Sequence, residues 1–378
     1  MLAPGSWLGC LGGGQLGRMF VHAAQALGYK VLVLDPDTTG PAAQAADAVI
    51  VAAYDDMDAV TAFGKRVAAV TTEFENVPAA SLEALAAMVP TRPGAAAVRI
   101  AQDRRKEKRF FVEHQLPVGK FAVIDRAEDL RDAPAHLFPG ILKTAKLGYD
   151  GKGQQRVTST TQALLAWMSM KQAPCVLEAM VPFEREISVL VARSTTGEVR
   201  VWPVQENQHV NGILDLTIVP ARLDAAALEQ AQALAQQLVA ALDYVGVLCV
   251  EIFVTADGLL INEIAPRPHN SGHYTLDACH TSQFEQQVRA LVGAPLGNPS
   301  LVHPAVMVNV LGDVWFDALM PMQPAWNEVL ALPGAHVHLY GKAEARKARK
   351  MGHVTCVAAT QEMALATAAE VKRILRIP

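Results

Sequence analysis

Val245-Gly-Val-Leu-Cys-Val-Glu-Ile-Phe-Val254, followed by Thr255-Ala-Asp-Gly258 and Leu259-Leu-Ile-Asn-Glu-Ile264, decides the reading of this chain. The first and third pieces have strand character, and Ala256-Asp257-Gly258 supplies turn chemistry with a glycine available for positive φ. A hairpin centred on Asp257 sets Glu251 opposite Glu263. Their carboxylates would stand roughly 5 Å apart on a face shared with Cys249, Phe253 and Ile261. Like charges in that position are destabilising unless something cationic faces them. A hard divalent metal that also holds phosphates would do so, and so would plain solvent around an edge hairpin.

The chain has 378 residues, 51% of them apolar, enough for two or three cores of ordinary domain size. A net charge of −4 provides no global basic field for nucleic acid or an anionic membrane. The five scattered cysteines form no CxxC and suit a reducing compartment. No apolar run approaches the roughly 18 residues of a spanning helix, and Met1–Cys10 lacks a basic region and a usable apolar stretch for export. A cytoplasmic protein is expected. Residues 1–95 alternate short apolar strands with alanine-rich helices, the βαβ rhythm of a parallel sheet. Residues 96–297 mix strands and helices and include the glutamate hairpin; residues 298–378 carry short strands and a last helix.

Two glycine-rich loops compete as phosphate binders. Gly12, Gly14 and Gly17 in Leu11-Gly-Gly-Gly-Gln-Leu-Gly-Arg-Met19 satisfy G-x-G-x-x-G between a strand and a helix, and Asp35 ends the next strand. The same pattern serves a dinucleotide, another anion at a helix N-terminus, or close strand–helix packing alone. The second loop, Gly148-Tyr149-Asp150-Gly151-Lys152-Gly153-Gln154, follows the strand Ile141-Leu-Lys143. It is not a Walker loop; its three glycines and its lysine suit a lid that closes over a nucleotide.

The glycine lid, Glu178-Ala-Met-Val181, Glu186, Glu251 and Asn262-Glu263 follow the order typical of ATP-grasp ligases. Six motifs in succession narrow the likeness: Gly12–Met19, Glu73-Phe-Glu-Asn-Val77, Gly148–Gln154, Asn262-Glu-Ile-Ala-Pro-Arg267, His269-Asn-Ser-Gly-His273 and Arg349-Lys-Met-Gly-His353. Nearly end to end, the chain resembles the 5-(carboxyamino)imidazole ribonucleotide synthases, the PurK-type family of the ATP-grasp superfamily. The resemblance implies a mixed α/β and α+β architecture with three parts: a Rossmann-like domain over 1–95, an ATP-grasp domain over 96–297, and a small β-rich domain over 298–378 that contributes substrate phosphate ligands.

The resemblance also implies roles. Arg104 and Lys143 would take phosphates beneath a lid of Gly148, Tyr149, Asp150, Gly151, Lys152, Gly153 and Gln154. Glu178, Ala179, Met180 and Val181 would read the adenine edge, Glu186 would take the ribose hydroxyls, and His209 and Asn262 would line the same cleft. Glu251 and Glu263 would carry Mg²⁺, usually two ions, with Mn²⁺ as a substitute. ATP is then the co-substrate that activates bicarbonate as carboxyphosphate, and 5-aminoimidazole ribonucleotide receives the carboxyl group. Arg267, His273, Tyr149 and Lys152 are the expected catalytic residues. Gln15, Arg18, Glu73, Glu75, Asn270, Ser271, Lys342, Arg349 and Lys350 are the expected ribonucleotide ligands. A homodimer is implied, with neither nucleic acid nor membrane as partner. Ala265 stands where many ATP-grasp enzymes have a metal-binding asparagine, and Lys152 where relatives often have arginine. The alternatives are another ATP-grasp ligase, such as a formate-dependent glycinamide ribonucleotide transformylase or a biotin carboxylase, and a nicotinamide-dependent dehydrogenase or a nucleotide sensor. A dehydrogenase has no use for the second glycine loop or the opposed glutamates.

Overall fold

A computed structural model describes residues 1–146, 148, 153–318 and 320–378. Four short parallel strands come first: β1 (Trp7–Leu11), β2 (Lys30–Leu34), β3 (Ala48–Ile50) and β4 (Ala69–Thr72), in the order β3-β2-β1-β4. Their apolar runs are continuous because helices cover both faces. Leu8, Cys10, Val31 and Val33 pack against Phe20, Val21 and Ala24 of the helix Gln15–Ala26. Leu11, Leu32, Leu34 and Val70 pack on the other side against Val60, Phe63, Leu82 and Leu85. The carboxyl ends of β1 and β4 therefore present Gly12–Gly14 and Glu73–Glu75 at the rim where such sheets bind ligands.

A separate antiparallel sheet contains β5 (Phe121–Ile124), β6 (Gly140–Thr144), β7 (Gln154–Val157) and β8 (Cys175–Ala179), ordered β5-β8-β6-β7. Leu142, Leu177 and Ile124 bury against Ala163 and Trp167 of the helix Thr160–Ser169. The largest sheet has nine strands. It draws on β9 (Phe183–Arg193), β10 (Val199–Val201), β11 (Gln205–Val210), β12 (Ile213–Val219), β13 (Gly246–Thr255), β14 (Gly258–Ala265) and β15 (Ala305–Leu311). A small pair, β16 (Phe316–Asp317) and β17 (Met320–Pro321), stands apart, and β18 (Ala335–Leu339) and β19 (Lys350–Val357) complete the large sheet. Its order is β14-β13-β9-β11-β12-β15-β19-β18, with β10 paired to β9 off this path, so the strands beyond residue 298 extend the central sheet through the β12–β15 pairing.

The helix Gln283–Val292 joins the central and N-terminal parts. Its Val288, Leu291 and Val292 enter the core of the parallel sheet. Arg92 donates to the carbonyls of Ala290 and Leu291 at 2.8 and 2.6 Å, satisfying acceptors in the last turn where a cation is favoured.

Glu251 does pair with Glu263, but not by the symmetry expected of a hairpin centred on Asp257. The strands run Thr255↔Gly258, Val254↔Leu259, Phe253↔Leu260 and Ile252↔Ile261 around a two-residue turn. A one-residue bulge at Asn262 then shifts the register and brings Glu263 opposite Glu251. In consequence Ile261 lies on the buried face with Ile252, Val250 and Leu248, not beside the glutamates, and Leu260 takes the position across from Phe253.

Candidate active site

The parallel sheet, the β5–β8 sheet and the β13–β14 hairpin enclose a cleft of about 1010 Å³. Glu251 and Glu263 project into it because they alternate with the core-facing residues of their strands. Each carboxylate faces a cation from the chain itself: Arg104 Nη1 lies 2.5 Å from Glu263 Oε2, and His269 Nε2 lies 3.1 Å from Glu251 Oε1. Burial opposes ionisation of Glu263, but Arg104, Lys143 and Lys108 outweigh it and hold the carboxyl well below its usual range. Burial likewise opposes charge on His269, yet Cys249 and Glu251 beside it push its pKa up.

Two buried lysines continue the cationic wall. Lys143 donates to Glu178 Oε2 at 3.0 Å, Lys108 lies 3.5 Å from the same oxygen, and Lys108 also donates to the Asn262 carbonyl at 2.8 Å. Glu178 is held ionised against its burial by Lys108, Lys143 and Arg104. Glu107, beneath the hairpin, accepts from the Ile264 amide at 2.9 Å. Its burial raises the carboxyl to about 8, with Arg104 and Lys108 only partly opposing it. Several buried polar atoms here have no hydrogen-bond partner among the described residues: Glu178 Oε1, Asn262 Oδ1, and both amide atoms of Asn270. Buried polar groups are ordinarily paired, so a concentration of unpaired ones in a cleft marks where a polar ligand completes the set.

Ala179, Met180, Val181, Gly148 and Gln154 line the cleft near Glu178, and Gly153 stands outside its lining with a φ of 71° that suits glycine. Glu186 and His209 also line it and are directly bonded through Glu186 Oε2 and His209 Nδ1. Burial would lower the His209 pKa, but the Glu186 bond and charge raise it. Phe183 and Phe253 add an apolar wall, their rings stacked at 4.8 Å and 10°. Tyr149, Asp150, Gly151 and Lys152 lie outside the described residues.

The first glycine loop is not an open anion cradle. Glu73 accepts from the amides of Gly14 and Gly17 at 2.6 and 2.8 Å, and Asp35 accepts from Gly13 at 2.5 Å. Close backbone approach needs these glycines: a Cβ at Gly14 would sit 2.3 Å from Glu73 Oε1. Both oxygens of Glu73 are thus already engaged, and burial raises its pKa, partly opposed by the Gly17 and Gly14 amides. Gln15, Glu73, Glu75, Asn270, Arg267 and Lys350 line the cleft. Arg267 Nε donates to Glu75 Oε2 at 2.5 Å, and its charge outweighs burial to keep Glu75 ionised.

Other expected residues lie elsewhere. His273 is fully buried behind the cleft, its ring against His353 and Phe284 and its Nδ1 on Gln283 Nε2. Ser271 is also buried and bonds Ser188 and His269, because the 3-10 turn Asn270–Gly272 points it at the sheet. Arg18 sits at the rim, near the Pro41 carbonyl and Gly341, which brings it toward the lysine- and arginine-rich loop that joins β18 to β19. In that loop Lys342 donates to the Lys350 carbonyl at 2.5 Å, and Arg349 donates to the Glu344 carbonyl at 2.9 Å. Sequence reasoning missed Lys108, Glu107, His269 and the stacking of Phe183 on Phe253. Strand alternation does place Phe253 on the glutamate face, two residues from Glu251; Glu107 and Lys108 could not be found, in a helix that reads as solvated charge.

Residues 6–102 match the ribonucleotide synthetase preATP-grasp domain, residues 109–284 the ATP-grasp domain, and residues 305–367 the phosphoribosylaminoimidazole carboxylase C-terminal domain. The chain is 46% identical, over 94% of its length and 97% of the relative's, to an N5-carboxyaminoimidazole ribonucleotide synthase of Brucella melitensis. It is 41% identical, over 94% of its length and 92% of the relative's, to the Bacillus subtilis enzyme of the same name. The crystal structure of the Aspergillus clavatus N5-carboxyaminoimidazole synthase in complex with ADP and 5-aminoimidazole ribonucleotide superposes with a TM-score of 0.90. That match covers 98% of this chain and 99% of the other at 32% identity. With three domain matches in series and relatives aligned over nearly their whole length, the chain belongs to the N5-carboxyaminoimidazole ribonucleotide synthase family of ATP-grasp ligases.

Proposed function

We propose that this chain carboxylates the exocyclic amine of 5-aminoimidazole ribonucleotide, using ATP and bicarbonate and releasing ADP and phosphate, in purine biosynthesis. The observation that carries the reading is the cleft in which Glu251 and Glu263 face each other beside Lys143, Arg104 and Arg267, with Asn262 Oδ1 and both side-chain amide atoms of Asn270 unpartnered among the described residues. Glu178–Val181, Glu186 and His209 are assigned to the nucleoside, and Lys143 and Arg104 to its phosphates. Glu251, Glu263 and the unpaired Asn262 Oδ1 form an all-oxygen donor set that fits Mg²⁺ or Mn²⁺. Such an ion, when bound, neutralises charge on the β- and γ-phosphates. Arg104 then leaves Glu263 for a phosphate, so the ion pair seen here holds the carboxylate ionised until ligands arrive.

A bicarbonate oxygen attacks the γ-phosphorus, the bond to the β-phosphate oxygen breaks, and ADP departs, leaving carboxyphosphate. The amine nitrogen then bonds the carboxyl carbon as the carbon–oxygen bond to phosphate breaks, and the amine gives up a proton. Arg267, fixed by Glu75, is assigned to the bicarbonate and carboxyl oxygens, where a planar guanidinium can grip two of them. Tyr149 and Lys152 of the glycine loop are assigned to covering this intermediate, since water would destroy it. Gln15, Glu75, Asn270 and Lys350 are assigned to the ribonucleotide, with Arg18, Lys342 and Arg349 at the rim for its phosphate. His273, buried on the Gln283 side chain that also bonds the His269 backbone, is assigned to support of His269 rather than to substrate. A homodimer and a cytoplasmic location follow from the family reading; among the described residues no helix is long and apolar enough to cross a membrane.

The test is ADP release with and without aminoimidazole ribonucleotide, bicarbonate and Mg²⁺. Release should require all three. Stimulation by formate with glycinamide ribonucleotide, or by biotin, would overturn the assignment.

A further inference from the structure

Away from the cleft, strands β18 and β19 gather three histidines around one carboxylate. His336 and His338 alternate on β18 and share a face, and His353 of β19 is directly opposite His338. The His338 and His353 rings stack at 4.6 Å and 13°. Asp277, from the short helix Thr275–Ala278, reaches the same face: its Oδ2 lies 2.9 Å from His338 Nε2 and its Oδ1 lies 3.8 Å from His336 Nδ1. One ligand atom each from Asp277, His338 and His353 falls within 4.8 Å of the others.

A surface Asp–His pair would account for Asp277 and His338 alone. It does not account for His353, which is completely buried and whose Nε2 has no hydrogen-bond partner among the described residues. His353 Nδ1 is 3.0 Å from the Tyr340 hydroxyl. With Nδ1–H donating there, Nε2 presents a lone pair, the arrangement in which a neighbouring acceptor fixes the tautomer of a metal-ligating imidazole.

We propose that Asp277, His338 and His353, with half-exposed His336 in reach as a fourth donor, form a binding site for a zinc-like transition-metal ion. Two or three imidazoles and one carboxylate suit Zn²⁺, Co²⁺ or Ni²⁺ and disfavour Mg²⁺, which takes oxygen ligands. Bonds of roughly 2.0–2.2 Å need the donors to draw together by about an ångström, within the rotamer freedom of two part-exposed histidines. The site shares no residue with Glu251 and Glu263. It would tie the β18–β19 hairpin, whose connection carries Lys342 and Arg349, to the helix that follows His269 and Asn270.

Full-length protein, freed of metal by chelation and kept in excess Mg²⁺, is titrated with Co²⁺. The expected result is the strong visible d–d absorption of tetrahedral Co²⁺, saturating at one ion per chain and displaced by Zn²⁺. His338→Ala and Asp277→Asn should each weaken binding by at least about tenfold; Glu251→Gln should leave the spectrum unchanged. His338 is part-exposed, so its variant keeps the test interpretable if Asp277→Asn fails to fold by circular dichroism. Absence of the absorption, its persistence in His338→Ala, or its loss in Glu251→Gln would each overturn the proposal.

Discussion

The first glycine loop and the glutamate hairpin both announce themselves in the sequence as phosphate chemistry, and the structure treats them in opposite ways. At the loop, the chain consumes its own binding capacity: Glu73 and Asp35 occupy the amides of Gly13, Gly14 and Gly17. At the hairpin, two carboxylates are forced opposite each other by a bulge, and unpaired polar atoms collect around them. A polar group that its own fold satisfies holds structure together; one that its own fold leaves wanting faces a ligand.

Glu263→Gln is the most severe way to break this contrast. It should lower the rate of ADP release by more than about 100-fold, as expected for lost stabilisation of phosphoryl-transfer charge, with little change in unfolding temperature. Normal turnover would falsify the metal and phosphate assignment of the hairpin. Arg267→Lys comes next. Losing the planar fork while keeping charge should reduce carboxylation by about 10- to 100-fold while ADP release falls less, so the ratio of phosphate to carboxylated product rises. An unchanged ratio would move Arg267 away from the carboxyl group.

Glu73→Gln probes the opposite side of the comparison. One charge-assisted acceptor is lost and one buried amide is left unpaired, so stability should drop by about 2–3 kcal/mol in denaturant unfolding. A loss below the error of such a measurement would mean that the loop does not depend on its internal carboxylate. Glu206 sharpens the rule. It is buried and clamped by Arg222 and Arg185, next to the Glu186 strand pairing but satisfied by its own partners. Burial alone would raise its carboxyl, but Arg222 and Arg185 outweigh that and depress it. Its contribution is therefore present above the unfolded value, near pH 4.3 for a free glutamate, and is lost as pH falls through the lower folded value. Since the arginines are part-exposed, Glu206→Gln should cost only about 1 kcal/mol at neutral pH and should flatten the acid side of the stability profile. Equal acid sensitivity in the variant would remove Glu206 from that role.

The fold was legible where local rules govern it. β1 to β4 form the parallel sheet that the alternation of apolar strands and alanine-rich helices over residues 1–95 predicts. The glutamate pairing was legible too, though for a reason the fold corrects: the turn is one residue tighter and the bulge at Asn262 restores the register. That bulge also explains why Ile261 turned up in the core. His273 and Ser271 misled because their motif reads as one polar run, while the fold keeps His269 and Asn270 on the cleft and buries Ser271 and His273 behind it. Lys108 and Glu107 stayed hidden because nothing in Arg104-Arg-Lys-Glu-Lys-Arg109 says which charges will be buried.

By itself the sequence determined the order of parts, the parallel sheet at the start, the family and the pair of glutamates. Each of these depends on residue type and spacing along one chain. Only the tertiary structure decided which polar groups are spent and which are available. Glu73 meets Gly14 across 59 residues, Arg104 meets Glu263 across 159, and Asp277 meets His338 across 61. A hydrogen bond depends on distance in space, and separations of that length carry no local signal of it.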